Sequence, residues 1–246
     1  MSYEILASFY DSLTDNVDYD LYVQFIKTVF DKYSSDIKVV LDVACGTGTL
    51  TQKLSEMGYE MIGVDASESM LSVAQSKNVK SENQILYLCQ DMEDIDLYGT
   101  VDAAVCTLDS INHIEDKSSV NEMFKKVSLF MNRGGVFMFD VNSLYKHRDV
   151  LGNNTFIYET DNVYCVWQNF YEESDSSVDF ELDFFERDED VYIRNFESFT
   201  EFYYSDEELT EMLEDSGFEI LKRCNGWSFD EPDDETERII YIARKK

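Results

Sequence analysis

The chain contains few basic, proline and histidine residues. Its 246 residues carry 20 Lys and Arg against 51 Asp and Glu, a formal net charge of −31. Such a surface repels phosphate backbones, so we expect neither DNA nor RNA as a partner. Because only His113 and His147 are present, a histidine-rich metal site is excluded, and we predict no metal ligands. With one proline, Pro232, and no low-complexity tract, the chain shows no sign of a linker.

Long apolar runs are missing as well. No stretch approaches the roughly 18 consecutive apolar residues of a membrane span. Residues 1–4 lack the basic and apolar regions of a signal peptide. The five cysteines form no C-x-x-C pair and lie mostly in apolar runs, which is typical of reduced core residues. We therefore expect a cytoplasmic protein without a membrane partner, and the sequence leaves its oligomeric state open.

The residues that are present predict an α/β protein. A hydrophobic content of 44% and an aromatic content of 14% argue against disorder. Strand and helix signals alternate over residues 39–141, which implies a parallel sheet covered by helices on both sides. Short β-rich segments over 156–204 predict an antiparallel meander. A helix over 206–216 and two last strands, 218–224 and 238–243, complete the pattern.

The most informative stretch is the ten residues V-V-L-D-V-A-C-G-T-G at positions 39–48. An apolar run of this kind is typical of a buried parallel strand. Gly46 and Gly48 permit a tight turn and the close backbone approach of a nucleotide-like ligand. About twenty residues later, a second apolar run ends at Asp65, the spacing of an acid that binds ribose hydroxyls.

Two departures from the nicotinamide fingerprint indicate which nucleotide binds. Thr51 stands where the third glycine of G-x-G-x-x-G would be, and Asp42 would repel a pyrophosphate on this loop. A carboxylate there suits a ligand with a cationic end, such as an α-amino group or a sulfonium. A nicotinamide enzyme is therefore disfavoured, although it stays an alternative.

These motifs resemble the cofactor site of class I S-adenosylmethionine-dependent methyltransferases. The segments Phe9-Tyr10-Asp11, Asp109-Ser-Ile-Asn112 and Phe139-Asp140-Val141 resemble in particular the small bacterial YqeM-like group. A more distant likeness is to the deoxysugar N,N-dimethyltransferases. The resemblance implies a Rossmann-like seven-stranded sheet with helices on both faces and an antiparallel β insertion after the fifth strand.

The same resemblance implies a division of the chain. Residues 1–141 and 206–246 would form the S-adenosylmethionine-binding domain, in which residues 1–33 are a helical lid. Residues 142–205 would be the β insertion that covers the active site.

The resemblance also implies site residues. Asp42 would lie near the methionyl amino group, the backbone of residues 44–48 would wrap the amino-acid part, and Asp65 would hold both ribose hydroxyls. Asp91 would bind the adenine amino group, with a loop N-cap as its alternative role. The predicted cofactor-binding residues are Asp42, Ala44, Cys45, Gly46, Gly48, Asp65, Ala66, Met70, Asp91, Met92 and Thr107.

Catalytic candidates are few. His113 is the one plausible imidazole base, and its alternative is a loop histidine with no catalytic role. Tyr10 would approach the cofactor from the lid, or pack in the core, and Tyr3 is a weaker candidate of the same kind. Substrate-pocket candidates on the insertion, where strand aromatics also serve as packing, are Tyr164, Trp167 and Tyr203.

The reaction that follows is methyl transfer to nitrogen or oxygen of a small-molecule acceptor. A sulfonium is already a strong electrophile, so in-line displacement mainly requires positioning and desolvation of the acceptor. We therefore predict a metal-independent reaction. The alternatives are a protein methyltransferase whose acidic face attracts a basic partner, and a non-catalytic module that binds S-adenosylmethionine.

Overall fold

The computed structural model describes residues 6–34, 36–79 and 83–246. The helices are α1 (Leu6–Leu13), α2 (Tyr19–Tyr33), α3 (Thr49–Glu56), α4 (Glu68–Asn78), α5 (Lys117–Phe130) and α6 (Asp206–Asp215). The strands are β1 (Val39–Val43), β2 (Glu60–Asp65), β3 (Leu86–Cys89), β4 (Val101–Cys106), β5 (Met131–Asn142), β6 (Thr155–Glu159), β7 (Val163–Glu172), β8 (Ser177–Asp188), β9 (Val191–Phe202), β10 (Phe218–Asn225) and β11 (Arg238–Lys245). Within the described residues, no helix is both long and apolar enough to span a bilayer.

The larger sheet has seven strands in the order β10-β11-β5-β4-β1-β2-β3. Strands β1 to β5 pair in parallel, and β11 runs antiparallel to both of its neighbours. Because β1 pairs with β2 on one side and β4 on the other, the strand order reverses there, and a crevice forms beyond the carboxyl ends of β1 and β4. This topology confirms the predicted fold class.

Helices cover both faces of this sheet because its strands are apolar on both sides. Val40 of β1 packs in the same cluster as Ile26 of α2, whereas the next residue, Leu41, packs in the cluster that contains Phe124 of α5. All four side chains are fully buried. Such double-sided burial explains why the strands read as continuous apolar runs rather than as alternating ones.

A second sheet of four antiparallel strands follows β5, in the order β6-β7-β8-β9. Buried and more exposed residues alternate along strands such as β7 and β8. One face of this sheet packs against α1 in a third apolar cluster, which includes Leu6, Ala7 and Met70. Met70 belongs to α4, a helix that packs on the larger sheet. Helix α1 therefore lies between the two sheets, and the predicted β insertion is present.

The amino-terminal helical region is two helices rather than one. A turn over residues 14–18 separates α1 from α2, and Asp18 caps α2 by accepting a hydrogen bond from the Leu21 amide at 3.0 Å. A carboxylate at this position satisfies a helical N–H and starts a new helix. Tyr3, the weakest catalytic candidate, lies outside the described residues.

The segment Asn-Arg-Gly-Gly at 132–135, whose glycines suit a helix C-cap, lies within β5 instead. Helix α5 ends at Phe130, and the pairing of β4 with β5 shifts register between Val101 and Ala103. Gly134, with φ of +80°, occupies this irregular stretch. Lys245 instead satisfies the end of the helix, since its Nζ donates to the carbonyl oxygens of two residues, including Met131 at 2.9 Å.

Candidate active site

The loop after β1 turns the chain at the edge of the crevice. Ala44, Gly46 and Gly48 adopt φ values of +55°, +54° and +73°, the left-handed region that favours glycine. A Cβ on Gly46 would meet no atom within 4 Å, whereas a Cβ on Gly48 would overlap the hydroxyl of Tyr87. Gly46 therefore leaves open space for a ligand, and Gly48 is needed for packing under the loop.

Asp65 ends β2 directly beside this loop. Its Oδ2 accepts a hydrogen bond from the Gly46 amide at 2.8 Å, and its Oδ1 accepts one from the Ser67 amide at 2.8 Å. Burial raises the pKa of Asp65, and the two amide hydrogen bonds oppose that rise. Each carboxylate oxygen retains acceptor capacity, so the side chain can also accept hydrogen bonds from a diol.

Asp42 lies deeper, within β1. It is 2% exposed, and its Oδ2 accepts a hydrogen bond from the Thr51 hydroxyl at 2.6 Å. Burial raises the pKa of Asp42 to about 7, and the nearby negative charge of Asp65 contributes to the rise. A cationic ligand group near this carboxyl would stabilise its ionised form.

A cavity of about 780 Å³ extends from the glycine loop to the inner face of the second sheet. This volume falls within the range of small-molecule sites. Of the predicted residues, those that line it are Tyr10, Ala44, Gly46, Asp65, Ala66, Met70, Asp91, Met92, His113 and Trp167. Those absent from its wall are Asp42, Cys45, Gly48, Thr107, Tyr164 and Tyr203.

Asp91 is an N-cap, which was one of the two roles considered for it, and its role toward adenine stays a prediction. Its Oδ1 accepts a hydrogen bond from the Glu93 amide at 3.1 Å and so caps the 3-10 turn Met92–Asp94. The same residue lines the cavity, across from the loop after β2. The cap orients the carboxylate, which leaves the second oxygen for a ligand.

Helix α1 closes one side of the cavity through contacts at both of its ends. Asp11 accepts a hydrogen bond from the Thr47 hydroxyl at 2.6 Å and pairs with Lys77 of α4. At the other end, the Leu6 amide donates to Glu197 of β9 at 2.8 Å. Burial opposes ionisation of Asp11, but the hydrogen bonds from Lys77 and Thr47 hold its pKa below the usual value. The helix thus ties the glycine loop to the second sheet.

The far end of the cavity contains a buried ion cluster. Arg238 of β11 pairs with Asp140 of β5 and with Asp109, whose Oδ1 lies 2.7 Å from the guanidinium Nη2. Burial raises the pKa of Asp140 in spite of Arg238. Burial also opposes ionisation of Asp109, but Arg238 and then His113 hold its pKa below the usual value.

Asp140 also stabilises the turn at Leu108 and Asp109, which orients the side chain of Asp109. Leu108 and Asp109 have φ values of +59° and +53°, which are unfavourable for residues with a Cβ. Their amides donate to the two carboxylate oxygens of Asp140 at 2.9 and 3.0 Å. These bonds offset the strain and direct Asp109 toward the cavity.

Glu201 of the second sheet completes the cluster. It is 3% exposed, and its Oε2 accepts a hydrogen bond from Asn142 at 2.8 Å and lies 3.1 Å from the His147 Nε2. The Asn142 amide group also donates to Asp109 at 3.0 Å, so it bridges the two carboxylates. The two sheets therefore meet through a polar network at the cavity wall.

His113 lies at the same end, in the 3-10 turn Ser110–His113. Its ring packs against Phe199 of β9, with centroids 5.1 Å apart. Ligand atoms of Asp109, His113 and Glu201 lie within 4.8 Å of one another, a spacing that a metal ion could use. Arg238 already pairs with Asp109, and Asn142 donates hydrogen bonds to Asp109 and Glu201, so both carboxylates have partners, which weakens that fit.

Comparison with known proteins agrees with this geometry. A family model described as "Methyltransferase domain" matches residues 40–135. The methyltransferase YqeM of Bacillus subtilis (strain 168) is 35% identical over 246 residues, which is all of this chain and 98% of the relative. The chain belongs to the YqeM-like family of methyltransferases. It is an S-adenosylmethionine-dependent enzyme of the class I fold, as the resemblance implied.

Solved structures extend the comparison. An S-adenosylmethionine-dependent methyltransferase from Clostridium acetobutylicum ATCC 824 superposes with a TM-score of 0.89 at 35% identity, covering 99% of this chain and 98% of that one. The sugar N-methyltransferase KedS8 from Streptoalloteichus sp ATCC 53650 has a TM-score of 0.78 at 19% identity, covering 96% of this chain and 93% of that one. At 19% identity, the similarity to KedS8 shows only that the two proteins share a fold.

Part of this YqeM-like site was not predicted from the sequence. Asp109 and Asp140 belong to motifs that resemble the family, whereas no role was predicted for Arg238, Asn142 or Glu201. Asn142 follows a buried apolar run, and such a polar residue at a strand end is a recognisable signal. Glu201 shows no such signal, because it lies among many other acids. The roles predicted for the individual residues stay predictions.

Proposed function

We propose that this YqeM-like enzyme transfers the methyl group of S-adenosylmethionine to nitrogen or oxygen of a small-molecule acceptor, in line and without a metal, and that an amine is the preferred acceptor. The observation that carries the proposal is the anionic cluster at one end of the cavity whose other end is the glycine loop. The sugar N-methyltransferase KedS8, which shares the fold, supports nitrogen as the attacked atom.

The residues present fit the cofactor. Gly46 leaves open space at the loop, and Asp65 offers a buried carboxylate held by two amides. Asp65 would accept the ribose hydroxyls, the backbone of residues 44–48 would hold the amino-acid part, and Asp91 and Met70 would flank the base. When bound, S-adenosylmethionine supplies an electrophilic methyl group on a sulfonium.

The acceptor end favours a positively charged group. Asp109 and Asp140 share one guanidinium, that of Arg238, and Asn142 joins Asp109 to a third carboxylate, that of Glu201. Such an excess of negative charge attracts an ammonium ion. The amine must lose its proton before it can attack, and an imidazole nitrogen of His113 or the Glu201 carboxylate can accept that proton. The surrounding apolar walls exclude water from the reacting atoms.

Metal independence rests on the same cluster. The guanidinium of Arg238 contacts Asp109 at 2.7 Å, and a divalent ion at that carboxylate would lie close to this fixed positive charge. We therefore expect methyl transfer to continue in excess EDTA. Loss of transfer in EDTA and its recovery with Mg²⁺ or Mn²⁺ would instead assign a metal to Asp109, His113 and Glu201.

The first test is calorimetric titration of S-adenosylmethionine and S-adenosylhomocysteine into wild type and Asp65→Ala. We expect a loss of at least about tenfold in affinity in the variant, because one charge-assisted diol contact contributes about 1.5 to 3 kcal/mol. Asp161→Ala, at an exposed turn of the second sheet, is the matched control and should bind as wild type does. Equal affinity in all three proteins would remove Asp65 from the cofactor site.

The second test identifies turnover. A panel of primary amines and the corresponding alcohols is incubated with methyl-labelled cofactor, and products are separated by mass spectrometry. Labelled small molecules support the proposal, and amines are expected to react faster than alcohols. Label that appears only in added basic proteins would favour the protein methyltransferase. Binding of the cofactor without any labelled product would favour the non-catalytic module.

The predicted division of the chain and its location are also proposals. The hydrogen bonds of Asn142 to Asp109 and Glu201 support a role for residues 142–205 as the cover of the acceptor end. The five cysteines lie in the described residues and are unpaired, which supports a reducing compartment such as the cytoplasm.

A further inference from the structure

The inner face of the second sheet forms an aromatic wall along the acceptor half of the cavity. Residues two apart on a strand share a face, and those that line the cavity come from all four strands. We call the following residues the aromatic wall: Phe156, Tyr158, Trp167, Phe180 and Phe199. Trp167 lies at its centre, with ring centroids 5.5 Å from Phe156, 5.7 Å from Tyr158 and 5.6 Å from Phe180. Phe180 in turn stacks on Phe199 at 4.7 Å.

Within the part of the chain that the structure describes, the inner face of this wall is partly exposed to the cavity. Phe180 is 1% exposed, but the other four rings are only partly buried while they line the cavity. The indole N–H of Trp167 is already used, since it donates to Asn169 of the same strand. Trp167 therefore presents an apolar ring face to the cavity rather than a hydrogen-bond donor.

The aromatic wall is directly adjacent to the anionic cluster. Phe199 and Glu201 are two residues apart on β9 and therefore share its inner face. The ring of His113 lies 5.1 Å from that of Phe199. A single small molecule can thus touch the wall with one end and the carboxylates with the other.

From this juxtaposition, and resting on the proposed function, we propose that the acceptor is an amphipathic amine with a flat apolar or aromatic body, not a polyhydroxylated amino sugar. The body lies on the aromatic wall, and the nitrogen lies among Asp109, His113 and Glu201. Among the wall residues, only Tyr158 carries a hydroxyl group. Sugar hydroxyls placed against the other four rings would lose their water without gaining partners from those rings, at about 1 to 3 kcal/mol for each.

Binding to the protein saturated with S-adenosylhomocysteine tests the proposal. The probes are 2-phenylethylamine, 2-phenylethanol and glucosamine, measured by calorimetry. We expect 2-phenylethylamine to bind at least about tenfold more tightly than glucosamine, and 2-phenylethanol to fall between them. Aromatic probes that bind no more tightly than glucosamine, or that do not bind, would overturn the apolar body.

Variants localise the contact. Trp167→Leu should weaken both aromatic probes at least about tenfold and leave glucosamine unchanged. Tyr164→Leu, on the same strand but outside the cavity wall, is the matched control and should bind as wild type does. Phe156→Leu provides a second test of the wall if the first variant folds poorly, and S-adenosylhomocysteine affinity reports folding in each. If the affinity of all three probes falls equally in these variants, or does not fall at all, the aromatic wall does not bind the apolar body of the acceptor.

The outcome separates this inference from the proposed function. Failure of S-adenosylhomocysteine to bind wild type would overturn the cofactor site itself, and the inference with it. If 2-phenylethanol binds as tightly as 2-phenylethylamine and both lose affinity in Trp167→Leu, the apolar body stands and the preference for an amine fails. Glu201→Gln should weaken the amine but not the alcohol, because only the amine carries a positive charge.

Discussion

Replacement of Asp42 by Asn tests whether burial of this carboxyl makes the stability of the protein depend on pH. Asp42 is 2% exposed and accepts a single observed hydrogen bond, from Thr51. Burial raises its pKa to about 7 in the folded protein, from an ordinary value of 3.8. Asparagine has nearly the same shape but does not titrate, so the substitution removes the proton equilibrium and keeps the volume.

Proton linkage gives the sign and size of the change in the free energy of unfolding with pH. Between pH 5 and pH 7 the folded protein keeps a proton on Asp42 that the unfolded chain has already lost. The folded state therefore binds more protons, and the free energy of unfolding falls as pH rises, by about 1.4 kcal/mol per pH unit for this group. Because the group is already half ionised at its folded pKa, the loss over these two units is about 2 kcal/mol, and above the folded pKa it levels off.

Urea unfolding of wild type and Asp42→Asn at a series of pH values measures this loss. The free energy of unfolding of wild type minus that of the variant should fall by about 2 kcal/mol from pH 5 to pH 7. The comparison depends only on the change with pH, so an altered hydrogen bond to Thr51 shifts both ends equally. Asp161→Asn, at an exposed turn, should show no such trend. A difference that stays constant across this range would refute the buried, protonated carboxyl.

The cofactor provides a second readout of the same group. If Asp42 lies near the methionyl amino group, as predicted, a bound cation will lower its pKa and release a proton near pH 7. Calorimetry in two buffers of different ionisation enthalpy detects that proton. Proton release in wild type but not in Asp42→Asn would support this placement, and equal release in both would contradict it.

Further predictions concern the loop, the ion cluster and the lid. Gly48→Ala should cost about 3 kcal/mol of stability in chemical unfolding, from left-handed strain and overlap beneath the loop. Gly46→Ala should cost about 1 kcal/mol but abolish S-adenosylmethionine binding in calorimetry, since its Cβ enters open cavity space. Arg238→Met should cost about 3 to 5 kcal/mol because it leaves two buried carboxylates unpaired, and a loss below about 1 kcal/mol would contradict the cluster. Asp11→Asn should speed cofactor dissociation in stopped-flow measurements by loosening the contact with Lys77, whereas an unchanged rate would exclude a lid role for α1.

Much of the cofactor end was predictable because its residues are close in the chain. The loop after β1 and the acid after β2 are each signalled by an apolar run that stops at a small or acidic residue. Parallel strands bring such stops to one edge of a sheet, and the Gly46 amide nitrogen indeed lies 2.8 Å from the Asp65 Oδ2. Gly48 and Asp42, which were predicted to bind the same cofactor, are not among the residues that line the cavity.

The acceptor end was much less predictable because its partners are far apart in the chain. Arg238 contacts a carboxylate 129 positions earlier, and Glu201 hydrogen-bonds a residue 59 positions earlier. Neither lies in a local pattern that distinguishes it from the many charged residues of this acidic chain. His147, for which no role was predicted, is fully buried against Glu201.

The sequence by itself thus determined which segments form strands and helices and the position of the glycine loop, since apolar periodicity and backbone freedom are local properties. The tertiary structure alone decided which of 51 acids lie in the cavity, and that an aromatic wall faces them. Those contacts depend on how the second sheet docks on the first. That docking is set by the packing of α1 and by the polar network around Asn142, which no short window of sequence contains.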